Sequence, residues 1–414
     1  MLFKYNDLEK RLIYITIILL LYGFYILSPV SKFLGYTEDI SPITIVLRIC
    51  QVVFLFFLFF ISVKTDNRRI KFTHLIAIMS VVCIYIMFTY RVFIDSIYSE
   101  KFIDDSYLLE YFVFGLLFSL LASILISINS TRELLLEVMV SLKVLLLIST
   151  VLIISLFLLD FSSGGLTNIR AGFERLNPIS IGRASAVLII IEMFIPSKHK
   201  LLSLLIFIVG STGLLLSLAR GPMLGLAVVL FIFVLGNFSL KKITYLVISL
   251  FAIIIIYTSV SQFVGYNVDL IEMFSKVGGS EDQSANQRFS LYISAFEQFS
   301  NSPFIGDRAV EINTNYYPHN FLIEVMMSIG AVGLVVFIFI NIITIAVYFS
   351  SNIILDKILK LVFYLYIFYF VNGMFSGSLF QSKEYWILLL LIFPLASKVN
   401  SINDSFSCIR NPSR

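Results

Sequence analysis

His319 and Asn320 stand side by side immediately before a long apolar run, behind Tyr316, Tyr317 and Pro318. An imidazole with an ordinary pKa of about 6.5 suits proton abstraction from an alcohol near neutral pH. A lone histidine at such a boundary is more often structural than catalytic. Glu324, about one helical turn beyond Asn320, either orients that imidazole or serves as a buried hydrogen-bonding residue. Further along the same run, Gly330 and Gly333 have the spacing that allows close helix packing within a membrane.

Arginine is the second residue type with chemical potential. Its planar fork binds phosphate through two parallel hydrogen bonds, where lysine offers a point charge. Arg170, Arg175 and Arg183 bracket an Asn177-Pro178 turn and helix start. Arg220 lies in the tight turn Ser217-Leu218-Ala219-Arg220-Gly221-Pro222, followed by a small-residue packing face at Gly221 and Gly225. Arg288 falls in the first turn of a predicted helix. With Arg48, Arg91 and Arg308, these arginines would all lie on one side of a membrane, and as a set they suggest an anionic ligand there. For each one singly, snorkelling or pairing with a nearby acid is the plainer explanation.

The elements that must carry these groups are membrane helices. Of 414 residues, 59% are hydrophobic and 14% charged, and the mean hydropathy is +0.96. A soluble domain carries about a quarter charged residues. A span needs roughly 20 apolar residues, and about twelve such runs can be counted: near 11–30, 43–63, 72–94, 107–128, 138–160, 179–196, 201–218, 221–237, 243–261, 321–348, 356–374 and 385–398. Short alternating strands are not seen, so the expected fold class is an all-α integral membrane protein. The first run lacks a convincing small-residue cleavage site and reads as a permanent helix. Cys50 and Cys83 lie within spans and Cys408 in the tail, so no disulfide framework or metal spacing emerges. A net charge of +4 is too small to argue for nucleic acid. Membrane lipids are the expected surroundings.

The positive-inside rule sets the orientation. With both termini cytoplasmic, the inner loops hold Lys64, Arg68, Arg69 and Lys71, then Arg132, Lys198, Lys200, Lys241 and Lys242, and later Lys357 and Lys360. The alternate loops are poor in lysine and hold acids such as Glu38, Asp39, Asp104 and Asp105. One extramembrane segment is large, residues 262–320, and it falls outside. Ser284-Ala285-Asn286-Gln287 has a capping-box pattern. Phe289, Tyr292, Ile293, Phe296 and Phe299 follow at helical spacing until Asn301-Ser302-Pro303, which describes an amphipathic helix on the membrane surface. Lys143 is the clearly embedded lysine and would snorkel inward. Tyr266, Tyr316 and Tyr317 would stack on sugars or sit in the interfacial belt.

The order of these motifs resembles the O-antigen polymerase and O-antigen ligase superfamily of bacterial envelope glycosyltransferases. The likeness is carried by His319-Asn320, nine residues, then Gly330-x-x-Gly333. It is joined by Ser217-Leu218-Ala219-Arg220-Gly221 and by Arg288 to Gly306 with its Ser302-Pro303-Phe304-Ile305-Gly306. The stretch from Arg170 to Gly182 resembles the family's Asn-Pro region. One departure is Asp307-Arg308, where a second glycine often follows Gly306. The resemblance covers roughly 165–340. It divides the chain into N-terminal helices (1–164), a family core (165–348) and C-terminal helices with a cytoplasmic tail (349–414).

What the resemblance implies is a GT-C-like membrane enzyme of the bacterial inner membrane that needs neither cofactor nor metal. Its partner would be an undecaprenyl-diphosphate-linked oligosaccharide taken from the periplasmic face, with a chain-length regulator protein as a further partner. Arg220 and Arg288 would clamp the diphosphate, with Arg170, Arg175 and Arg183 as further candidates for the same anion. His319 would be the general base for an inverting attack on the anomeric carbon, with Asn320 and Glu324 beside it. Repeat-unit polymerase is the first reading and ligation to lipid A-core the second. A lipid-linked oligosaccharide flippase is the rival from another class. It fits less well, because no repeat relates the halves and the polar groups do not gather at the midplane.

Overall fold

The computed structural model describes residues 7–34, 42–64, 70–98, 111–162, 177–236, 283–351 and 356–410. All regular structure among them is helical. The expected span at 243–261, the start of the long loop with Tyr266, and Arg170 and Arg175 lie outside the described residues.

The helices are α1 (Asp7–Phe33), α2 (Pro42–Lys64), α3 (Phe72–Tyr98), α4 (Tyr111–Leu121, wound with π spacing, continuing as Ala122–Asn129) and α5 (Arg132–Ser162). They continue with α6 (Pro178–Phe194), α7 (Lys200–Ser217), α8 (Arg220–Gly236) and α9 (Gln283–Asn301). The last three are α10 (Phe321–Ser350), α11 (Lys357–Gly373) and α12 (Lys383–Arg410). Six helices, α1, α2, α3, α5, α7 and α10, contain stretches long and apolar enough to cross a membrane, and α4 and α8 hold shorter apolar stretches.

The centre of the bundle is built from helices that are apolar all round, the pattern of a helix with neighbours on every side. Along α12 the run from Tyr385 to Phe393 is buried throughout, as is Ile181 to Ile191 along α6 except for Arg183. Rim helices instead expose apolar side chains, such as Phe56, Phe57, Phe59 and Phe60 on α2. In water that face would be costly, whereas in hydrocarbon it is solvated.

Buried polar groups pair across helices, as a low-dielectric interior demands. Asn341 Oδ1 accepts from Tyr366 and Tyr385 hydroxyls at 2.5 and 2.8 Å, and Tyr25 meets Thr150 at 3.0 Å. The sequence suggests that Lys143 snorkels. Instead it is buried, donating to Glu192 at 2.9 Å and to the Ile195 carbonyl at 2.7 Å. Removing either partner alone would leave an uncompensated charge inside the bundle.

Charge is distributed by end. Lys10 pairs with Glu137 and Lys64 with Glu9, at 2.7 and 3.0 Å, and Arg132 reaches Asp356 at 3.4 Å. These contacts use the start of α1, the end of α2 and the starts of α5 and α11. The opposite end of the same bundle carries Arg48, Arg183, Arg288 and His319.

Candidate active site

Each expected motif begins or ends a helix at the His319 end, and the local causes are visible. α6 starts at Pro178, where the missing N–H costs nothing, and Asn177 Oδ1 accepts from the Ile179 N–H at 3.0 Å. α7 stops after Ser217 because Leu218 takes a left-handed conformation (φ 46°), and α8 restarts at Arg220. α9 ends at Asn301, one residue short of Ser302-Pro303, as expected. Its exposed stripe is Phe289, Ile293 and Phe296, continued by Phe304 and Ile305. Its inner face is polar and small, with Ser294, Ala295 and Gln298 buried.

Residues 302–320 fold tightly between α9 and α10. Glu311 is fully buried and accepts from Ser294 Oγ, the Asn313 backbone and amide groups and both donors of Thr314. Burial pushes its carboxyl up, but these hydrogen bonds outweigh it and hold the group below the usual carboxylate range. The knot delivers the chain to Pro318 and then to His319.

The Gly330–Gly333 pair does something other than the expected helix packing. Gly330 has φ 67° and breaks α10. The freed N–H groups of Ala331 and Val332 donate to the carbonyls of Pro303 and Phe304 at 2.7 and 3.2 Å, and Asp307 N–H donates to the Met327 carbonyl at 2.9 Å. Gly306, also left-handed at φ 78°, faces this break, and a Cβ on Gly330 would stand 2.5 Å from Gly306 N and Phe304 C. The two glycine motifs are thus the two halves of one joint. Arg91 of α3 grips it from outside through the carbonyls of Ile305, Gly306 and Asp307. Asp95 accepts from the Ala309 N–H at 2.7 Å. The Asp307-Arg308 departure is accommodated here, Asp307 through its backbone and Arg308 beside the Asp307 carboxylate at 3.8 Å. Gly333 lies against its own turn, at the Ile329 side chain.

The groups singled out as chemical converge on a segment that sequence reasoning missed, residues 372–382 between α11 and α12. Arg288 Nη1 donates to the Phe375 carbonyl at 2.9 Å. Arg183 Nη2 donates to the Ser376 carbonyl at 3.0 Å. With the Asn372 amide oxygen turned toward it, Arg183 also donates from Nε and Nη2 at 2.7 and 3.0 Å. Asn320 Nδ2 donates to the Met374 carbonyl at 3.0 Å. Gly221, next to Arg220, approaches so closely that a Cβ there would lie 3.0 Å from the Asn372 side-chain amide and from Ser376 Oγ. Arg183 and Arg288 are therefore tied to one loop from two different helices, and the backbone next to Arg220 packs against the same loop. The available signal was the breaker run Asn372-Gly373-Met374-Phe375-Ser376-Gly377-Ser378 between two apolar stretches.

His319 sits at the rim of this cluster in a left-handed conformation (φ 59°). Strain of this kind in a residue with a side chain is held only by its surroundings. Asn320 supplies them: its Oδ1 caps α10 by accepting from Leu322 and Ile323 N–H at 3.0 and 3.2 Å. Tyr317 and Tyr316 flank the imidazole, with ring centroids at 4.6 and 5.5 Å. Burial, and next the Arg288 charge, pull the His319 pKa down from the ordinary 6.5 to about 4, so the ring is neutral at physiological pH and, with no anion beside it, a weaker base than its residue type suggests. Its Nδ1 is buried without a hydrogen-bond partner. Glu324 is buried as well, and its two oxygens accept from Ser378 Oγ at 2.6 Å and the Leu379 N–H at 2.7 Å. It braces the 372–382 loop.

Residues 205–338 match the family described as O-antigen ligase. The chain therefore carries a domain of the O-antigen polymerase and ligase superfamily. No curated protein matches the chain. The matched segment takes in Arg220, Arg288, His319 and the Gly306–Gly330 joint, and it stops short of the 372–382 loop to which Arg288 is bonded. It supports an O-antigen polymerase or ligase type of function in a multi-pass membrane protein with glycosyltransferase-like chemistry and lipid-linked oligosaccharide substrates.

Proposed function

We propose that the protein is a repeat-unit polymerase of the O-antigen type, joining undecaprenyl-diphosphate-linked oligosaccharides at the periplasmic face of a bacterial inner membrane. The observation that supports this reading is a neutral imidazole in the field of Arg288, which one loop holds together with Arg183. A base and a diphosphate clamp are the two devices this reaction needs. The acceptor hydroxyl oxygen attacks the anomeric carbon while His319 takes its proton. The bond from that carbon to the diphosphate oxygen breaks, and the lipid diphosphate leaves with the bonding pair. Arg220 and Arg288 stabilise the charge on the leaving group, and attack from the opposite face inverts the anomeric centre. Arg170 and Arg175 are proposed to approach the same anion from the preceding loop. Asn320 and Glu324 act by position, one fixing the backbone of His319 and the other the loop that holds the arginines. The steps derived for these residues draw on no cofactor.

Ligation to lipid A-core is the second reading, favoured by the description of the matched family. Both reactions use the same donor chemistry, so the cluster serves either. The separating experiment is a lipopolysaccharide gel of a deletion strain. Core bearing a single repeat unit, restored to a ladder by the wild-type gene, supports the polymerase. Bare core with accumulated lipid-linked polymer supports the ligase. An unchanged ladder in the deletion strain overturns both.

A further inference from the structure

A cavity of about 620 Å³ lies at the opposite end of the bundle from His319, between the ends of α6, α8 and α10 and the start of α11. That volume falls within the roughly 300–1,000 Å³ typical of ligand pockets. Lys357 and Lys360 line it together with Tyr348, Tyr364, Phe194 and Phe233. None of the six takes part in the proposed glycosyl transfer.

Buried hydroxyls single this cavity out. A tyrosine enclosed by protein usually gives its hydroxyl a partner. Eight tyrosines are buried among the described residues, and six follow the rule. Tyr22 and Tyr369 bond each other, Tyr25 meets Thr150, Tyr85 donates to the Phe380 carbonyl, and Tyr366 and Tyr385 donate to Asn341. The other two are Tyr348 and Tyr364, 5% and 6% exposed, whose hydroxyls meet no partner among the described residues. Both line the cavity. A tyrosine of the interfacial belt stands among headgroups, whereas these two are packed inside the bundle. Tyr348 stacks on Phe363 with ring centroids 3.5 Å apart, and Tyr364 lies 4.8 Å from Phe194.

The cations stand at the start of α11. Lys357 is exposed and Lys360 half-buried, and neither meets a carboxylate among the described residues. Asp356 beside them is already engaged, with Arg132 at 3.4 Å and as the cap of Ile358 and Leu359 N–H at 2.9 and 3.1 Å. Lys357, Lys360 and Tyr364 follow one another three and four residues apart, on one face of the helix. Tyr364 therefore stands roughly 10 Å further along the axis than Lys357. From the helix start inward the order is cation, hydroxyl donor and aromatic wall. We propose that this cavity binds an anionic glycerophospholipid of the leaflet at this end. Its phosphodiester lies against the two ammonium groups, its ester carbonyls accept from the tyrosine hydroxyls, and an acyl chain runs along Phe194 and Phe233. The bound lipid ties α8, α10 and α11 together, and the last two lead to the His319 cluster at their other ends. The site does not depend on the glycosyl-transfer reading.

The full-length protein in detergent would be titrated with phosphatidylglycerol and, separately, with phosphatidylcholine, bound lipid being resolved by native mass spectrometry. Wild type is expected to retain one phosphatidylglycerol, preferred over phosphatidylcholine by roughly tenfold or more. Lys357→Gln/Lys360→Gln should lose that preference. Tyr348→Phe/Tyr364→Phe keeps both rings and should weaken either lipid about threefold or more, because the ester carbonyls are common to both. Lys198→Gln/Lys200→Gln removes exposed lysines that do not line the cavity, and should bind as wild type does. Equal retention of the two lipids by wild type would overturn the proposal. So would unchanged binding in the Lys357/Lys360 pair or in the tyrosine pair. An equal loss in the Lys198/Lys200 pair would reduce the effect to diffuse surface charge and overturn the site. A second copy of the chain in place of lipid, lost in the Lys357/Lys360 pair, would make the cavity a protein interface and overturn it as well.

Discussion

At the scale of single residues, His319 combines three properties that a structural histidine has no need to combine. It is in a left-handed conformation, its Nδ1 is buried without a partner, and it is held neutral by burial and by Arg288. Asparagine tolerates that backbone conformation well, so His319→Asn removes the base with little strain. We expect it to accumulate normally and to lose about 10²–10⁴-fold in transfer rate, the usual contribution of a general base. Membrane content by immunoblot and product formed per enzyme check the two halves.

The pH dependence has a definite sign. The free enzyme's imidazole protonates only near pH 4, so kcat/KM should stay flat between about pH 5 and 8 as far as this group is concerned. A bound diphosphate favours the imidazolium, so the acid limb of kcat should lie at higher pH than that of kcat/KM. Arg288→Gln removes a neighbouring positive charge, which raises the imidazole pKa and moves the limb of kcat/KM upward. An unmoved limb in that variant would separate His319 from the titration.

At the scale of elements, the joint between residues 303–307 and the break in α10 aligns the whole site. A methyl group at Gly306 would run into the Ser328 backbone, and one at Gly330 into Phe304 and Gly306. Each position is also left-handed, which adds about 1–3 kcal/mol of backbone strain for alanine. Gly306→Ala and Gly330→Ala should therefore lower the thermal midpoint in detergent, whereas Gly236→Ala, at the exposed end of α8, should not. Glu324→Ala leaves Ser378 and the Leu379 N–H without partners inside the bundle, a loss of roughly 1–3 kcal/mol for each. Glu324→Gln keeps one acceptor oxygen and should recover part of the stability and of the activity. Full activity in Glu324→Ala would show that the 372–382 loop needs no such brace.

This scale also marks where the sequence stopped being readable. Helix starts at Pro178 and Arg220 and the stop at Asn301 could be read, because proline, asparagine and glycine act on the backbone locally. The role of Gly330 could not, since Gly-x-x-Gly spacing serves both close packing and a left-handed break. The 372–382 loop escaped notice because it contributes mainly backbone carbonyls, at Met374, Phe375 and Ser376, which every residue type possesses. His319, Arg220 and Arg288 were conspicuous for the opposite reason, since their side chains carry the chemistry.

At the scale of the molecule, composition was enough to identify a helical membrane protein, and six helices meet the length and apolarity of a span. The central helices α6, α11 and α12 were recognisable as apolar runs, but their burial by neighbours was not, since lipid and protein select the same side chains. Lys10, Lys64 and Arg132 lie at one end of the bundle, and Arg183 and Arg288 at the other. A cysteine at Tyr316, whose side chain is exposed, should react with a membrane-impermeant maleimide in intact cells stripped of their outer membrane. One at Lys64, exposed at the far end of α2, should react only after lysis. The reverse pattern would invert the proposed orientation.

The central claim, that His319 with Arg220 and Arg288 makes a glycosidic bond, is most directly tested by complementation read on a lipopolysaccharide gel. A deletion strain would carry the wild-type gene, His319→Asn, or empty vector, with protein levels matched. The account predicts a full ladder with wild type, and an identical loss of the ladder with His319→Asn and with empty vector. A full ladder from His319→Asn at matched levels would contradict it.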